Sequence, residues 1–281
     1  EYRFVFGDSY SYTEGQLGTP EFSWSNFTDK ASLSNNPILL NKTSADGPNW
    51  VEYLTGCYQG LPQHCHPKLY NLAFAGADID PAKITKHHDF TVSFVEQVEQ
   101  FVDFVNPRIK WDPKSTLGAF WIGINDVGDT VKWTNISYSD FYAGIIDTYF
   151  DKMEELYEHD LRAFMFFNIP PRDRSPGGSS TKQYAQAIDT YNSILQQHIS
   201  DFASNHNDAI VITIDAFSYF NQYLDNASEL GFKDISTFCP NSTAPDFNTN
   251  YEAYGYSGHP TYPVHKLLAA SIEKQLAKPG C

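Results

Sequence analysis

The chain is short of positive charge. Nineteen Lys and Arg stand against 34 Asp and Glu in 281 residues, a formal net charge of −15 with a pI near 4.8. That balance excludes nucleic acid or an anionic membrane surface as the main partner, because both are held through Lys and Arg. Long hydrophobic runs are missing too. None approaches the roughly 18 residues of a membrane-spanning helix, so no integral membrane contact is expected. There is no internal repeat and no low-complexity tract. Disorder as the main state is excluded by what is plentiful: 41% hydrophobic residues, with 16% aromatics, can build a sizeable core.

Cysteine is scarce, but its number is even. Cys57, Cys65, Cys239 and Cys281 allow three pairings. The simplest joins Cys57 to Cys65 across a short loop and Cys239 to the terminal Cys281. A zinc reading of Cys57, His64, Cys65 and His66 has suitable ligand types. The adjacent His64-Cys65-His66 fits no common zinc loop, however, and no metal is expected. Glycosylation sequons begin at Asn26, Asn41, Asn135, Asn226 and Asn241. With the even cysteine count they favour the secretory pathway and an extracellular protein. The opening Glu1-Tyr2-Arg3-Phe4-Val5-Phe6 already reads as a strand, as in a secreted chain after leader removal.

Near-continuous apolar runs at Tyr2–Phe6, Leu69–Ala73, Leu117–Ile122, Arg162–Asn168 and Ala209–Ile214 predict strands covered on both faces. Helical periodicity fills the gaps. It runs over Phe90–Val105, Ser139–His159, Thr181–Phe202 and Pro263–Leu276, where apolar residues recur every three or four positions. Alternation of this kind means βαβ units around a parallel sheet. Nothing splits the chain, so residues 1–281 are read as a single domain. The polar stretch Tyr10–Asn49 predicts an ordered loop beside the functional site.

Ligands of an open parallel sheet bind beyond the carboxyl ends of its strands. Gly7-Asp8-Ser9 follows the first run and places a hydroxyl and an N–H there. Gly76 follows the second, where a bare backbone can approach an oxygen. Gly123-Ile124-Asn125-Asp126 follows the third, and the Asn125 amide can donate to a developing oxyanion. Near the end comes Gly258-His259-Pro260-Thr261. A His before Pro is held out of helix, so His259 sits on a loop. Each piece alone is an ordinary turn. His87 and His88 fit incidental surface positions.

The order of the pieces resembles the SGNH, or GDSL-type, hydrolase superfamily, whose four blocks are similar to Gly7-Asp8-Ser9, the Gly76 turn, Gly123-Ile124-Asn125-Asp126 and the stretch ending at His259. Asn168-Ile169-Pro170-Pro171-Arg172 and His265 resemble fungal acetylesterases of carbohydrate esterase family sixteen. The resemblance implies a three-layer α/β/α sandwich, flavodoxin-like, and a cofactor-free serine esterase. Ser9 would be the nucleophile and His259 the base. The Ser9 and Gly76 N–H groups and the Asn125 side chain would form the oxyanion hole. One position departs from the family. Tyr256 stands three residues before His259, where an Asp is usual, and neither Asp246 nor Glu252 has the spacing. The expectation is a Ser9–His259 dyad whose His is held by a backbone carbonyl.

The expected substrate is a small-molecule or oligosaccharide ester, foremost O-acetyl groups on plant cell-wall oligosaccharides, met by a secreted monomer. A lipase, an aryl esterase, an acyltransferase and a non-catalytic carbohydrate-binding protein are the alternatives. Tyr10, Tyr12, Phe22, Trp24 and Phe27 are candidates to stack on sugar rings or to pack the loop.

Overall fold

The computed structural model describes residues 1–13, 37–176, 178, 180–239, 250–253 and 259–277. Five parallel strands form its centre: β1 (Tyr2–Gly7), β2 (Lys68–Asn71), β3 (Thr116–Trp121), β4 (Ala163–Phe167) and β5 (Ile210–Ile214). Their order is β2-β1-β3-β4-β5, and every pair is parallel. All five coincide with the predicted runs to within two residues.

Seven helices surround the sheet among the described residues: α1 (Trp50–Thr55), α2 (Phe94–Gln100), α3 (Ile124–Thr130), α4 (Tyr138–Glu158), α5 (Lys182–Asn205), α6 (Ala216–Asp225) and α7 (Tyr262–Leu276). The chain steps from β1 outward to β2, then returns past β1 to β3, β4 and β5. Right-handed crossovers therefore place the first connection on one face and the later ones on the other. Accordingly α4 packs on α2 and α5, whereas α7 packs on α1 and α6. The result is the expected three-layer sandwich.

Aromatic residues alternating along the strands fill both interfaces. Phe6 stacks on Phe120 at 5.1 Å, and Phe150 on Phe166 at 5.6 Å. The neighbour of Phe120, Trp121, points the other way and stacks on Phe167 at 4.9 Å, with Trp50 on Phe167 at 4.6 Å. Phe120 is wholly buried, and deleting such a ring costs about 3–5 kcal/mol.

The helix predicted over 90–105 starts later, at Phe94, because Ser93 caps it reciprocally with Glu96. Its last turn widens to a π-turn over Phe101–Val105. The short helices α1, α3 and α6 were not anticipated, nor was a small second sheet of β6 (Asp234–Cys239), β7 (Asn250–Ala253) and β8 (His259–Pro260). The Cys57–Cys65 disulfide is formed, with Cα atoms 5.5 Å apart. Both sulfurs are thereby withdrawn from the zinc reading with His64 and His66. The Cys239–Cys281 pairing, Tyr256, Phe22, Trp24, Phe27, Asn26 and Asn241 lie outside the described residues. No helix among those described is long and apolar enough to cross a membrane.

Gly7 ends β1 at φ +151°, and a Cβ there would stand 2.2 Å from the Trp121 carbonyl oxygen. The obstacle is backbone and no rotamer relieves it. Gly7→Ala should lower Tm by about 5 °C or more. Gly56→Ala should cost less, since Gly56 has φ +65° and nothing within 4 Å of an added Cβ. Thermal melts of both variants check this, and equal shifts would contradict it.

Candidate active site

The sheet order reverses between β1 and β3, the position where open α/β sheets form a crevice. Ser9 leaves β1 there and Asn125 leaves β3. What aims Ser9 is a clamp on Gly7. The Gly7 N–H donates to Gln97 Oε1 at 2.9 Å, and Gln97 Nε2 donates to the Gly7 carbonyl at 2.8 Å. The next residue, Asp8, is fully buried; its Oδ1 accepts from the Tyr10 N–H at 2.9 Å. Its carbonyl accepts from the Ser11 and Tyr12 N–H groups, both at 3.1 Å. The chain thus curls into one tight turn that leaves Ser9 on the wall of a cavity of about 770 Å³.

His259 arrives from the other end of the sequence, on β8. Its Nε2 lies 2.6 Å from Ser9 Oγ. Pro260 and Thr261 lead directly into α7, and the Tyr262 N–H donates to the Ala45 carbonyl at 2.9 Å. That contact fixes where the strand carrying His259 ends. The Tyr10 ring lies 5.4 Å from the His259 ring and 5.2 Å from Trp121. Its hydroxyl accepts from Arg172 at 3.1 Å. Behind it, His265 is buried and accepts from the Trp50 N–H through Nδ1 at 3.4 Å. Burial, aided by His259, pushes His265 down to about 3, so it stays neutral and adds no charge behind His259.

The two further oxyanion-hole candidates read from the sequence share this cavity with Ser9. Gly76 holds φ +78°, a left-handed turn that costs glycine little. Asn125 is the second residue of α3, which follows Gly123; that glycine has φ +114° and no room for a Cβ beneath the Tyr191 ring. Asn125 Nδ2 donates to the Ala77 carbonyl at 2.9 Å. An amide nitrogen carries two hydrogens, so one orients the side chain and a second remains for a ligand. Ser9, Gly76, Asn125 and His259 all line the same cavity.

His87 and His88, read as incidental surface, line it too. His87 Nε2 bonds Asp129 Oδ2 at 2.6 Å, and this bond raises the His87 pKa. The signal in the sequence was weak: Asp129 follows Asn125 by four residues, one helical turn, and shares its face. Gln97 was likewise missed as a site-building residue, whereas Tyr10 was read as a candidate for sugar stacking or loop packing and Arg172 only as part of a family-like stretch. Asp78, His87 and Asp129 bring one potential ligand atom each within 4.8 Å of one another. The set suits a hard cation poorly, since His87 and Asp129 already satisfy each other and Lys132 stands 3.8 Å from Asp129.

Acids are buried around this site. Burial raises Asp8 to about 7 and, within α1, Glu52 to about 8. Asp78 and Asp126 are raised by burial, Asp78 also by its neighbour Asp126. In the unfolded chain these carboxyls ionise near pH 4, whereas the folded protein keeps their protons higher. Their contribution to stability is complete below about pH 4 and is lost as pH rises through the folded values. His265 works oppositely, but only below its unfolded value of 6.5. Between about pH 6.5 and 9 stability therefore falls, and Tm should drop across that window. Glu52→Gln should flatten the slope. A Tm that stays level or climbs would refute the assignment.

Known proteins resemble this chain in sequence and in fold. The GDSL-like lipase/acylhydrolase family pattern matches residues 4–272. An acetylesterase from Thermothelomyces thermophilus is 27% identical over 285 residues, which span 97% of this chain and 87% of that protein. An acetylxylan esterase structure from Geobacillus stearothermophilus is similar with a TM-score of 0.51 and 15% identity, covering 99% of this chain and 94% of its own. A Parabacteroides merdae structure described as a GDSL-like lipase gives 0.53 and 12%, covering 97% and 94%. At these identities the two structures speak for the fold. The family pattern runs from β1, which delivers Ser9, into α7, which follows His259. The chain belongs to the GDSL-like lipase/acylhydrolase family and is a carboxylic ester hydrolase.

Proposed function

We propose that this enzyme is a secreted esterase that removes short acyl groups, foremost O-acetyl groups from plant cell-wall oligosaccharides, through an acyl-enzyme on Ser9. The observation that carries the mechanism is the 2.6 Å contact between Ser9 Oγ and His259 Nε2. At that distance the imidazole takes the hydroxyl proton as Oγ attacks the ester carbon, then returns it to the leaving alcohol. The Ser9 and Gly76 N–H groups and the second Asn125 amide hydrogen hold the oxyanion. Water, activated by the same His259, releases the acid and frees Ser9. The acetylesterase relative supports the acetyl group. The Cys57–Cys65 disulfide and the exposed sequon residues Asn41, Asn135 and Asn226 support an extracellular setting.

Initial rates on p-nitrophenyl esters from acetate to octanoate, beside acetylated xylo-oligosaccharides, test the substrate. Acetate should lead, and rates that climb toward octanoate would make the enzyme a lipase instead. Ser9→Ala should lower kcat by about a thousandfold or more. Asn125→Ala should lower kcat by about 10²–10³ with KM little changed. Tyr256→Phe should stay within about tenfold of the parent, or about 1.4 kcal/mol, because a backbone carbonyl is read as orienting His259. A hundredfold loss there would give that role to the phenol. Peptide mapping of the native protein should find glycan on at least one of Asn41, Asn135 and Asn226. A wholly unmodified native chain from a glycosylating host would oppose secretion.

A further inference from the structure

We propose that Phe90 and the His87–Asp129 pair form the subsite for the sugar from which the acyl group is cleaved. This rests on the saccharide-ester reading above. An acetyl group has three heavy atoms, whereas the cavity measures about 770 Å³, within the range of about 300–1,000 Å³ of pockets that hold drug-sized ligands. The space beyond Ser9 must therefore accept the leaving alcohol, and its walls decide which alcohol enters.

One wall is built by residues 87–90, between the Gly76 turn and α2. Phe90 is 39% exposed, one of only six large hydrophobic side chains exposed among the described residues. It lines the cavity. His88 backs it in parallel, 4.9 Å away with 9° between the planes, and Phe74 approaches at 6.4 Å. These contacts fix the ring, which supplies an apolar surface suited to the C–H face of a pyranose.

Beside that face lies a polar pair. His87 Nε2 and Asp129 Oδ2 are 2.6 Å apart, and both residues line the cavity. Asp129 Oδ1, 3.8 Å from Lys132, keeps acceptor capacity for a hydroxyl. A ring face next to a fixed carboxylate matches a sugar, which offers C–H bonds on its faces and O–H groups on its rim. The pair also sits close to the reacting bond. His87 packs on Gly76, its Nδ1 3.1 Å from where a Gly76 Cβ would stand. A sugar engaged by His87 and Asp129 therefore lies one residue from the oxyanion donor.

The test compares kcat/KM on acetylated xylo-oligosaccharide with kcat/KM on p-nitrophenyl acetate, whose leaving group carries no sugar. In Phe90→Ala and in Asp129→Ala the saccharide-to-nitrophenyl ratio should fall at least tenfold, mainly through KM on the saccharide. Phe90→Trp should restore most of it. An unchanged ratio, or equal losses on both esters, would overturn the subsite; the second result would make these residues supports for Gly76. Titration calorimetry of unacetylated xylo-oligosaccharide into Ser9→Ala, with and without Phe90→Ala, reads the subsite without turnover. Weaker binding in the double variant supports it, and equal or absent binding opposes it. A parent enzyme that cleaves p-nitrophenyl acetate but no acetylated saccharide would instead sink the substrate reading, with calorimetry still deciding the subsite.

Discussion

One hydrogen bond between residues 250 positions apart organises this molecule: Ser9 Oγ to His259 Nε2. Side chains from the two ends of a chain meet only where the elements that carry them are held in place. The parallel sheet supplies that support on one side. Registers of β1 with β2 and β3 are continuous over the strand, so the exit point of Ser9 is set by aromatic packing far from the chemistry. On the other side, His259 belongs to a two-residue strand with little stability of its own. Its position comes from α7, from the Tyr262 contact with Ala45, and from the Tyr10 ring packed between it and Trp121. The sheet core and the active site are thus one mechanical unit joined through Tyr10.

Buried carboxyls are the cost of this construction. Asp8 spends one oxygen on the turn that presents Ser9, and Asp126 spends one on the Ile79 N–H, which follows the Gly76 turn. In each, the second oxygen is buried without a hydrogen-bond partner among the described residues. An ionised carboxylate left in that state would be severely destabilising, so the groups hold their protons instead. The same acids that shape the turns after β1 and β3 thereby tie the site's integrity to pH. The neutral His265 extends this logic: a charged imidazole behind His259 would oppose the proton transfer that His259 must accept.

Much of this was legible in the sequence, and the remainder failed for identifiable reasons. All five central strands showed as apolar runs because both faces are covered, and four turn motifs placed Ser9, Gly76, Asn125 and His259. Short helices did not show. In α1, six residues carry too little periodicity, and only the Asn49-to-Glu52 capping box betrays it. In α3 the turn residues Gly123, Asn125 and Asp126 mask a helix whose N-terminal residue follows a left-handed glycine. Gln97 was invisible for another reason. On an amphipathic helix it reads as a solvent-facing residue, whereas its amide reaches across to both polar groups of Gly7. His87 was misread because its meaning depends on Asp129, 42 residues away and on another element.

Under the proposed subsite, that pairing is where the information about substrate resides. The proposed ester-breaking residues follow strand ends, and strand ends are written locally, in short motifs. The proposed leaving-group wall comes from a connection between β2 and β3 and from the outer turn of α3. Neither has a strong local pattern, because neither is constrained by the sheet. A connection can exchange its exposed ring or its polar pair without disturbing the clamp on Gly7. The fold therefore sets where the site residues stand, while the residues that would meet the alcohol are free to vary on a loop. In this chain the two meet at a single point, the packing of His87 on Gly76. Under the proposed subsite, a substitution at His87 would reach both the leaving group and the Gly76 turn, whereas one at Phe90, further along the same wall, would reach the leaving group alone.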